Sequence, residues 1–408
     1  MYNDASSGIG IPMMNSTLQP PLALMGLPLD SLTTAQTVEA LDRLIQSGGT
    51  HQICPVNVDV WLNAISDPHL HRIIAGCSMV VPDGMPLVWA SSLFGSPLAE
   101  RVTGVDLIPR LADLSARKGY KIFLLGAKPG VAERAARVLE AQHPGVHIVG
   151  TYAPDEANLV RMDHSEILNR VHAAKPDILL VAFGNPKQEK WIWMHRKRLG
   201  VPLAMGVGGS FDMLVGDTRR APRWVQRCGL EWLMRMVQEP ARLAPRYCRD
   251  LIGMGRRLPL ALLSAWMQKP YLGPSQVTTS TTAQVLHVYV HGRLGAEAME
   301  ALQTATTTAI LNGLLMVVHL DAVRQSTAAG FGILLDARRQ LLEAGLSLSL
   351  AGLTLKSRFL LYSWQLLPLF DEWEPAIARS RPMIVPEPVH LEMGAEPAVL
   401  PVQTRARG

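Results

Sequence analysis

Cysteine is scarce: four residues in 408 (Cys54, Cys77, Cys228, Cys248), with no CxxC pair among them. Neither a zinc knuckle nor a disulfide framework is implied, and a reducing cytosol fits that usage best. Charge is modest at 18% and aromatics are few at 6%, while 48% of residues are hydrophobic. Such a composition excludes a coiled coil and a disordered polymer, and the length suits two or three domains of roughly 100–200 residues each. Long apolar runs are missing too. The uncharged stretch from Leu258 to Met267 is about half of the ~20 residues that a spanning helix needs, so no transmembrane helix is expected. No Lys or Arg precedes Arg43, so a secretory signal is not expected either. Finally, no GxGxxG and no GxxxxGK[ST] occurs, which argues against dinucleotide and P-loop cofactors.

The residues that are present suggest an order of domains. Residues 1–23, rich in Gly, Ser, Asn and Pro, read as a flexible leader. From 24 to 218 short β-branched runs alternate with helical ones, the pattern of βα units on a parallel sheet. Residues 219–269 form a basic segment on helical spacing, and 270–283 a linker of Pro, Ser and Thr. Residues 284–377 alternate strand and helix again as a second small α/β domain, and 378–408 read as a disordered tail.

In an open parallel sheet, ligands bind beyond the C-terminal strand ends, where backbone N–H groups face an anion. Gly126-Ala-Lys-Pro-Gly130, Gly184-Asn-Pro-Lys-Gln188 and Gly206-Val-Gly-Gly209 have that placement. Their small residues suit a nucleotide or a phosphorylated ligand, although a glycine after a strand also serves a tight turn. Val80-Val-Pro-Asp83-Gly84 sets a carboxylate at a strand end, where it is either a general base raised by burial or part of an Asp-Gly turn. Arg101-Val-Thr-Gly104-Val-Asp106 follows. Arg101 can grip a phosphate bidentately or pair with Asp106, and spacing does not separate the two.

Taken in order, Pro82-Asp83-Gly84, Arg101 to Asp106, Leu124-Leu-Gly126 with Pro129-Gly130, Pro144-Gly145, Asp177 to Val181 with Gly184-Asn-Pro-Lys-Gln-Glu189, Gly206 to Gly209 with Phe211-Asp212, Gly216, Arg220-Ala-Pro222 and Glu231-Trp232 resemble the WecG/TagA/CpsF glycosyltransferase family over about residues 26–250. The resemblance implies an α/β fold: a Rossmann-like parallel-sheet domain with a helical C-terminal appendage. It also implies inverting, metal-independent transfer from a UDP-sugar to a polyprenyl-diphosphate-linked saccharide. The sugar would be N-acetylmannosamine, its uronic acid, glucose or glucuronic acid, in cell-surface or exopolysaccharide synthesis. Asp83 matches the family's catalytic base. Asn57, Arg101, Gly104, Gly126, Gln188, Gly206, Gly208 and Gly209 match the substrate pocket. No cofactor is implied, so Lys187, Arg219 and Arg220 either stabilise the departing UDP or are ordinary surface charges. One position departs from the pattern: Pro55-Val-Asn57 stands where the family has Thr-x-Asn. The lost hydroxyl implies an altered donor or acceptor, or weakened activity in a domain that serves as a scaffold.

The formal charge of +5 is unevenly spread, with +8 in residues 219–269 and −3 in the rest. Basic residues share that segment with an apolar stripe, as in helices on anionic lipid; the alternative packs the stripe on the core. The family's appendage docks on the membrane, which assigns Arg223, Trp224, Arg227, Arg235, Arg242 and Arg246 to lipid and the protein to the cytoplasmic face of the plasma membrane. Nucleic-acid binding is not expected, because no recognised fold accompanies the basic residues. A homo-oligomer is implied by the family. Residues 284 to about 370, with Val317-Val-His-Leu-Asp321 and Ser326-Thr-Ala-Ala-Gly330, resemble a STAS domain whose acceptor serine is absent. A protein-docking role for an unknown partner is therefore expected, with Ser326 and Thr327 as nearby hydroxyls only.

Overall fold

Apolar runs, buried in every strand but the half-exposed edge strand β6, form six parallel strands: β3 (His51–Val56), β4 (Met79–Pro82), β5 (Lys121–Gly126), β6 (His147–Tyr152), β7 (Ile178–Ala182) and β8 (Leu203–Gly206), in the order β4-β3-β8-β7-β5-β6. The structure, a computed structural model, describes residues 20–218, 220–222, 225, 229–282 and 284–373. Residues 1–19 of the expected leader, all of the expected tail, and Arg219, Arg223, Trp224 and Arg227 lie outside those residues, as does the side chain of Arg242; the leader's last residues, Leu22 and Ala23, are not loose but lie in a strand, Leu22–Leu24. The described residues up to Glu372 form one compact unit.

Both faces of the parallel sheet are covered, which is why its strands other than the edge strand β6 are mostly apolar rather than alternating. On one face Ile53, Val81, Leu124, Leu180 and Met205 pack under helices α1 (Thr34–Ser47), α5 (Gly104–Lys118) and α6 (Val131–Gln142). On the other, Cys54, Val56 and Val80 meet α2 (Val58–Ser66), α3 (Pro68–Ala75) and α4 (Met85–Leu93), together with a hairpin of β1 (Leu22–Leu24) and β2 (Leu27–Leu29). Farther along that face, Leu125, Leu179 and Ala204 meet α7 (His164–Ala174) and α8 (Lys187–Leu199). A short helix, α9 (Ser210–Leu214), follows β8. The chain leaves β3 outward to the edge strand β4, whereas its other neighbour β8 is reached from β7. The crevice at the ends of β3 and β8 is therefore a switch point, where such sheets hold ligands.

Pro55 inside β3 has a physical explanation. Along β3, His51 N donates to Pro202 O on the β8 side at 2.8 Å, and Val56 O accepts from Asp83 N on the β4 side at 2.7 Å. By that alternation Pro55 faces the β8 side, where pairing has already ended at Ile53 with Met205. The missing N–H thus removes no ladder bond.

The basic segment folds into α10 (Glu231–Gln238) and α11 (Pro240–Trp266). The C-terminal module is a mixed sheet, β12-β10-β11-β13-β14, with β9 antiparallel on β10. Its strands are β9 (Gln276–Thr282), β10 (Val285–Leu294), β11 (Leu315–His319), β12 (Val323–Ser326), β13 (Leu348–Ala351) and β14 (Asp371–Glu372), and its helices α12 (Met299–Leu311), α13 (Ala328–Glu343) and α14 (Leu355–Ser363). The stretch expected as a linker therefore contains a strand: Val277 and the threonines that follow are β-branched and pair with β10 over seven positions. The module's core includes Ala23, Ala75 and Ala261 of the preceding elements, so its apolar interior is continuous with theirs.

Candidate active site

Asp83 follows β4 directly. Its backbone N donates to Val56 O at 2.7 Å, and its Oδ2 lies 3.5 Å from Gly104 N, the first residue of α5. Thr103 caps that helix, its Oγ1 accepting from Asp106 N at 3.1 Å while donating to Asp106 Oδ2 at 2.7 Å. Burial pushes the Asp83 carboxyl up to about 7; Arg235 and Arg101 oppose the rise, and Glu231 adds to it. A carboxylate near 7 is poised to accept a proton at neutral pH.

Around it lies a chain of charges. Arg101 Nη1 pairs with Glu231 Oε2 at 2.8 Å; Arg220 reaches Asp106 Oδ1 at 2.6 Å and, through Nε, Glu231 Oε1 at 3.6 Å. Of the two partners offered for Arg101 from the sequence, Asp106 pairs instead with Arg220, and α10 brings Glu231 to Arg101. Asn57 caps α2, its side-chain oxygen accepting from Val60 N at 3.0 Å, and a Cβ on Gly84 would stand 3.6 Å from Asn57 Cβ. A Cβ on Gly104 would stand 3.7 Å from both Pro55 Cγ and Ser210 Oγ. Asn57, Asp83, Arg101, Gly104 and Arg220 therefore share one mouth with Pro55, and Arg219 lies outside the described residues.

Gln188 does different work from contacting an open pocket. It is 5% exposed, its Oε1 accepts from Gly184 N at 3.2 Å and Gly208 N at 3.0 Å, and its Nε2 donates to Glu189 Oε1 at 2.8 Å. The amide thus ties the loop after β7 to the loop after β8. Gly206 lacks a side chain for a related reason: a Cβ there would stand 2.5 Å from Gln188 Nε2. Gly208, at φ 52, lets the loop turn beneath that amide, and Gly209 follows as the N-cap of α9. Glu189, which the sequence offered only as the end of the Gly184–Glu189 motif and not as a site residue, anchors the brace. Burial raises its carboxyl to about 7, and Oε2 accepts from Asn185 Nδ2 at 2.9 Å.

Two expected pocket residues serve the frame. A Cβ on Gly126 would stand 2.8 Å from Ala182 O, so this glycine permits β5 and β7 to end close together. Lys187 Nζ donates to Ala157 O at 3.1 Å, toward the loop after β6.

The assignment of Arg235 and Arg246 to lipid is corrected by their contacts. Arg235 Nη2 lies 2.8 Å from Met213 Sδ and its charge acts on Asp83. Arg246 Nη1 lies 3.9 Å from Asp59 Oδ2, and Arg249 pairs with the same Asp59, so α11 is tied to α2. The reason is that α10 is turned inside out: Glu231 and Arg235, four residues apart, face the protein, while Trp232, Leu233, Met234 and Val237 are exposed. Among the described residues, no helix is long and apolar enough to cross a membrane.

The profile of the glycosyl transferase WecG/TagA/CpsF family matches residues 22–269, more than half of the chain. An N-acetylglucosaminyldiphosphoundecaprenol N-acetyl-beta-D-mannosaminyltransferase of Bacillus spizizenii is 32% identical over 190 residues, covering 47% of this chain and 72% of the relative. The protein of the same name from Staphylococcus aureus strain MW2 is 28% identical over 222 residues, covering 54% and 85%. Among solved structures, the anti-sigma factor antagonist SpoIIAA in its unphosphorylated form is similar over 26% of this chain and 94% of its own, at 18% identity and a TM-score of 0.21.

Proposed function

The chain belongs to the WecG/TagA/CpsF family of glycosyltransferases, and from that premise we propose that it moves a sugar from a UDP-sugar to a polyprenyl-diphosphate-linked saccharide, inverting the anomeric carbon without a metal. The observation that carries this reading is Asp83: a half-buried carboxyl near 7, at a sheet switch point, with two arginines acting on it. As a base it takes the proton of the acceptor hydroxyl while that oxygen attacks the anomeric carbon; the bond to UDP breaks on the opposite face. Arg101, Arg220 and Arg235 offset the negative charge that grows on the diphosphate, a role for preorganised cations. Gln188 holds in place the two glycine loops that flank the nucleotide, taking the Gly184 and Gly208 N–H groups itself.

The relatives' names make N-acetylmannosamine the first donor to test and N-acetylglucosaminyl-diphosphoundecaprenol the first acceptor. Pro55, set against Gly104, supports a donor or acceptor that differs from theirs at the hydroxyl which a threonine would contact. The protein works at the inner face of the plasma membrane, through the exposed apolar side of α10 beside the Asp83 mouth, and as a homo-oligomer.

A panel of radiolabelled UDP-sugars with a polyprenyl-diphosphate acceptor tests the reading. Label enters the lipid fraction with the wild-type chain and is lost in Asp83→Asn. Undiminished transfer by that variant refutes the assignment of the base. Absence of transfer across the panel, with UDP bound, supports instead a scaffold built on a silent transferase.

A further inference from the structure

The C-terminal module touches the transferase domain through α13. At Gly332 a Cβ would fall within the Pro21 carbonyl oxygen, so this helix approaches the first hairpin more closely than any side chain would permit. Two turns on, on the same face of the helix, Arg339 enters the transferase domain. Its Nη1 donates to Ser78 O at 2.8 Å and to Cys77 O at 3.3 Å, the two carbonyls that precede β4, while Nη2 is paired with Asp336. The Arg339 side chain is 16% exposed.

Asp30 completes the arrangement from the transferase side. Its backbone N donates to Val80 O at 2.8 Å and its Oδ2 accepts from Val80 N at 2.7 Å, so one carboxylate residue holds both backbone groups of the second residue in β4. Burial raises the Asp30 carboxyl to about 6, with Arg339 opposing the rise and Asp336 adding to it. Arg339 in turn feels Asp336, Asp30 and Glu343. β4 is the edge of its sheet and only four residues long, and Asp83 follows it at once. An edge strand has a neighbour on one side only, and here a residue of the second module bonds the two carbonyls that lead into it.

We propose that Arg339 is a positioning residue for the transfer reaction, acting from the C-terminal module through β4 on Asp83. The inference rests on the function proposed above for Asp83. The guanidinium fork fixes two successive carbonyls at the start of the strand and balances the Asp30 carboxylate that holds its middle. Sliding or fraying of β4 would move Asp83 relative to Gly104 and Arg101. Such coupling runs through one contiguous element and has the scale of other long-range effects within a domain.

The full-length chain is assayed for transfer as Arg339→Met, Arg339→Lys, Asp30→Asn and the Asp30→Asn/Arg339→Met double variant, with Arg324→Ala on the exposed side of β12 as control. All are kept below the temperature at which any begins to unfold. Arg339→Met lowers kcat about tenfold with the donor KM held within about twofold, by the size of coupling expected here. Arg339→Lys, which keeps the charge beside Asp30 but loses the planar fork, falls between wild type and Met. The double variant loses less than the product of its singles. Amide exchange across Met79–Gly84 quickens in Arg339→Met and not in Arg324→Ala. Should the wild-type chain transfer no sugar, the function above fails, and exchange alone decides whether Arg339 holds the strand. Unchanged exchange at Met79–Gly84, or a folded Arg339→Met enzyme with wild-type kcat, overturns the proposal.

Discussion

Arg101 and Glu231, 130 residues apart, meet at 2.8 Å with side chains only 16% and 11% exposed, joining the loop before α5 to the appendage helix α10. The pair makes α10 part of the site rather than a tether beside it. Removing one partner of a pair this buried leaves an uncompensated charge, which costs about 3 kcal/mol. Glu231→Ala should therefore lower stability by about that amount in urea titration, and lower kcat as α10 loosens. Arg101→Ala in the same background should add little, because the interaction is already gone.

The pH profile of transfer offers a second reading of the same cluster. A base must be deprotonated to act, so kcat/KM should climb as pH rises through about 7 and level off above it, following the raised carboxyl of Asp83. Glu231 contributes to that rise. In Glu231→Gln the negative neighbour is lost and Arg101 is released, so the acid limb should move to lower pH. A limb that stays in place in this variant, measured over pH 5–9, would show that another group controls it.

Glu189 predicts a stability change with the sign of a raised acid. Its folded carboxyl titrates near 7 against an ordinary value of 4.5, so the folded state holds its proton more tightly than the unfolded chain. The contribution is fully present below 4.5 and lost as pH rises through about 7, on the order of 3 kcal/mol over that window. Glu189→Gln, which cannot ionise, should flatten the fall in urea stability between pH 5 and 8. An equal fall in both proteins would refute the assignment.

Much of this arrangement was legible in the sequence because it is local. Strand, turn and helix follow one another in Lys121 to Gln142 and in Asp177 to Leu199, and the strand-end positions of Asp83, Gln188 and Gly206 come from the same alternation. Pairings that depend on distant elements were not legible. Nothing local distinguishes Glu231 from any other acid at a helix start, and its role appears only when α10 crosses the mouth. Gln188 was recognisable as a site residue, but its partners Gly184 and Gly208 belong to two loops whose approach is set by sheet order. The apolar and basic spacing of α10 was plain, yet the direction each side faces depends on Arg101 and Arg220, which meet Glu231 from elsewhere in the chain.

That orientation predicts how the chain meets lipid. With Glu231 and Arg235 turned inward, the outward side of α10 is Trp232, Leu233, Met234 and Val237, the last 73% exposed. An apolar patch of this kind gains from burial in the acyl boundary at about 1.5–3 kcal/mol per large side chain, and depends little on salt. Trp232→Gln/Val237→Gln should weaken co-sedimentation with vesicles of neutral and anionic lipid about tenfold or more. Val160→Gln, a still more exposed apolar position on the loop before α7, should leave it unchanged. Raising the salt from 0.05 to about 0.5 M compresses the screening length several-fold, and binding that persists through that change places the apolar side chains, not the arginines, at the lipid surface. Binding abolished by salt and untouched by the double substitution would return the contact to the arginines.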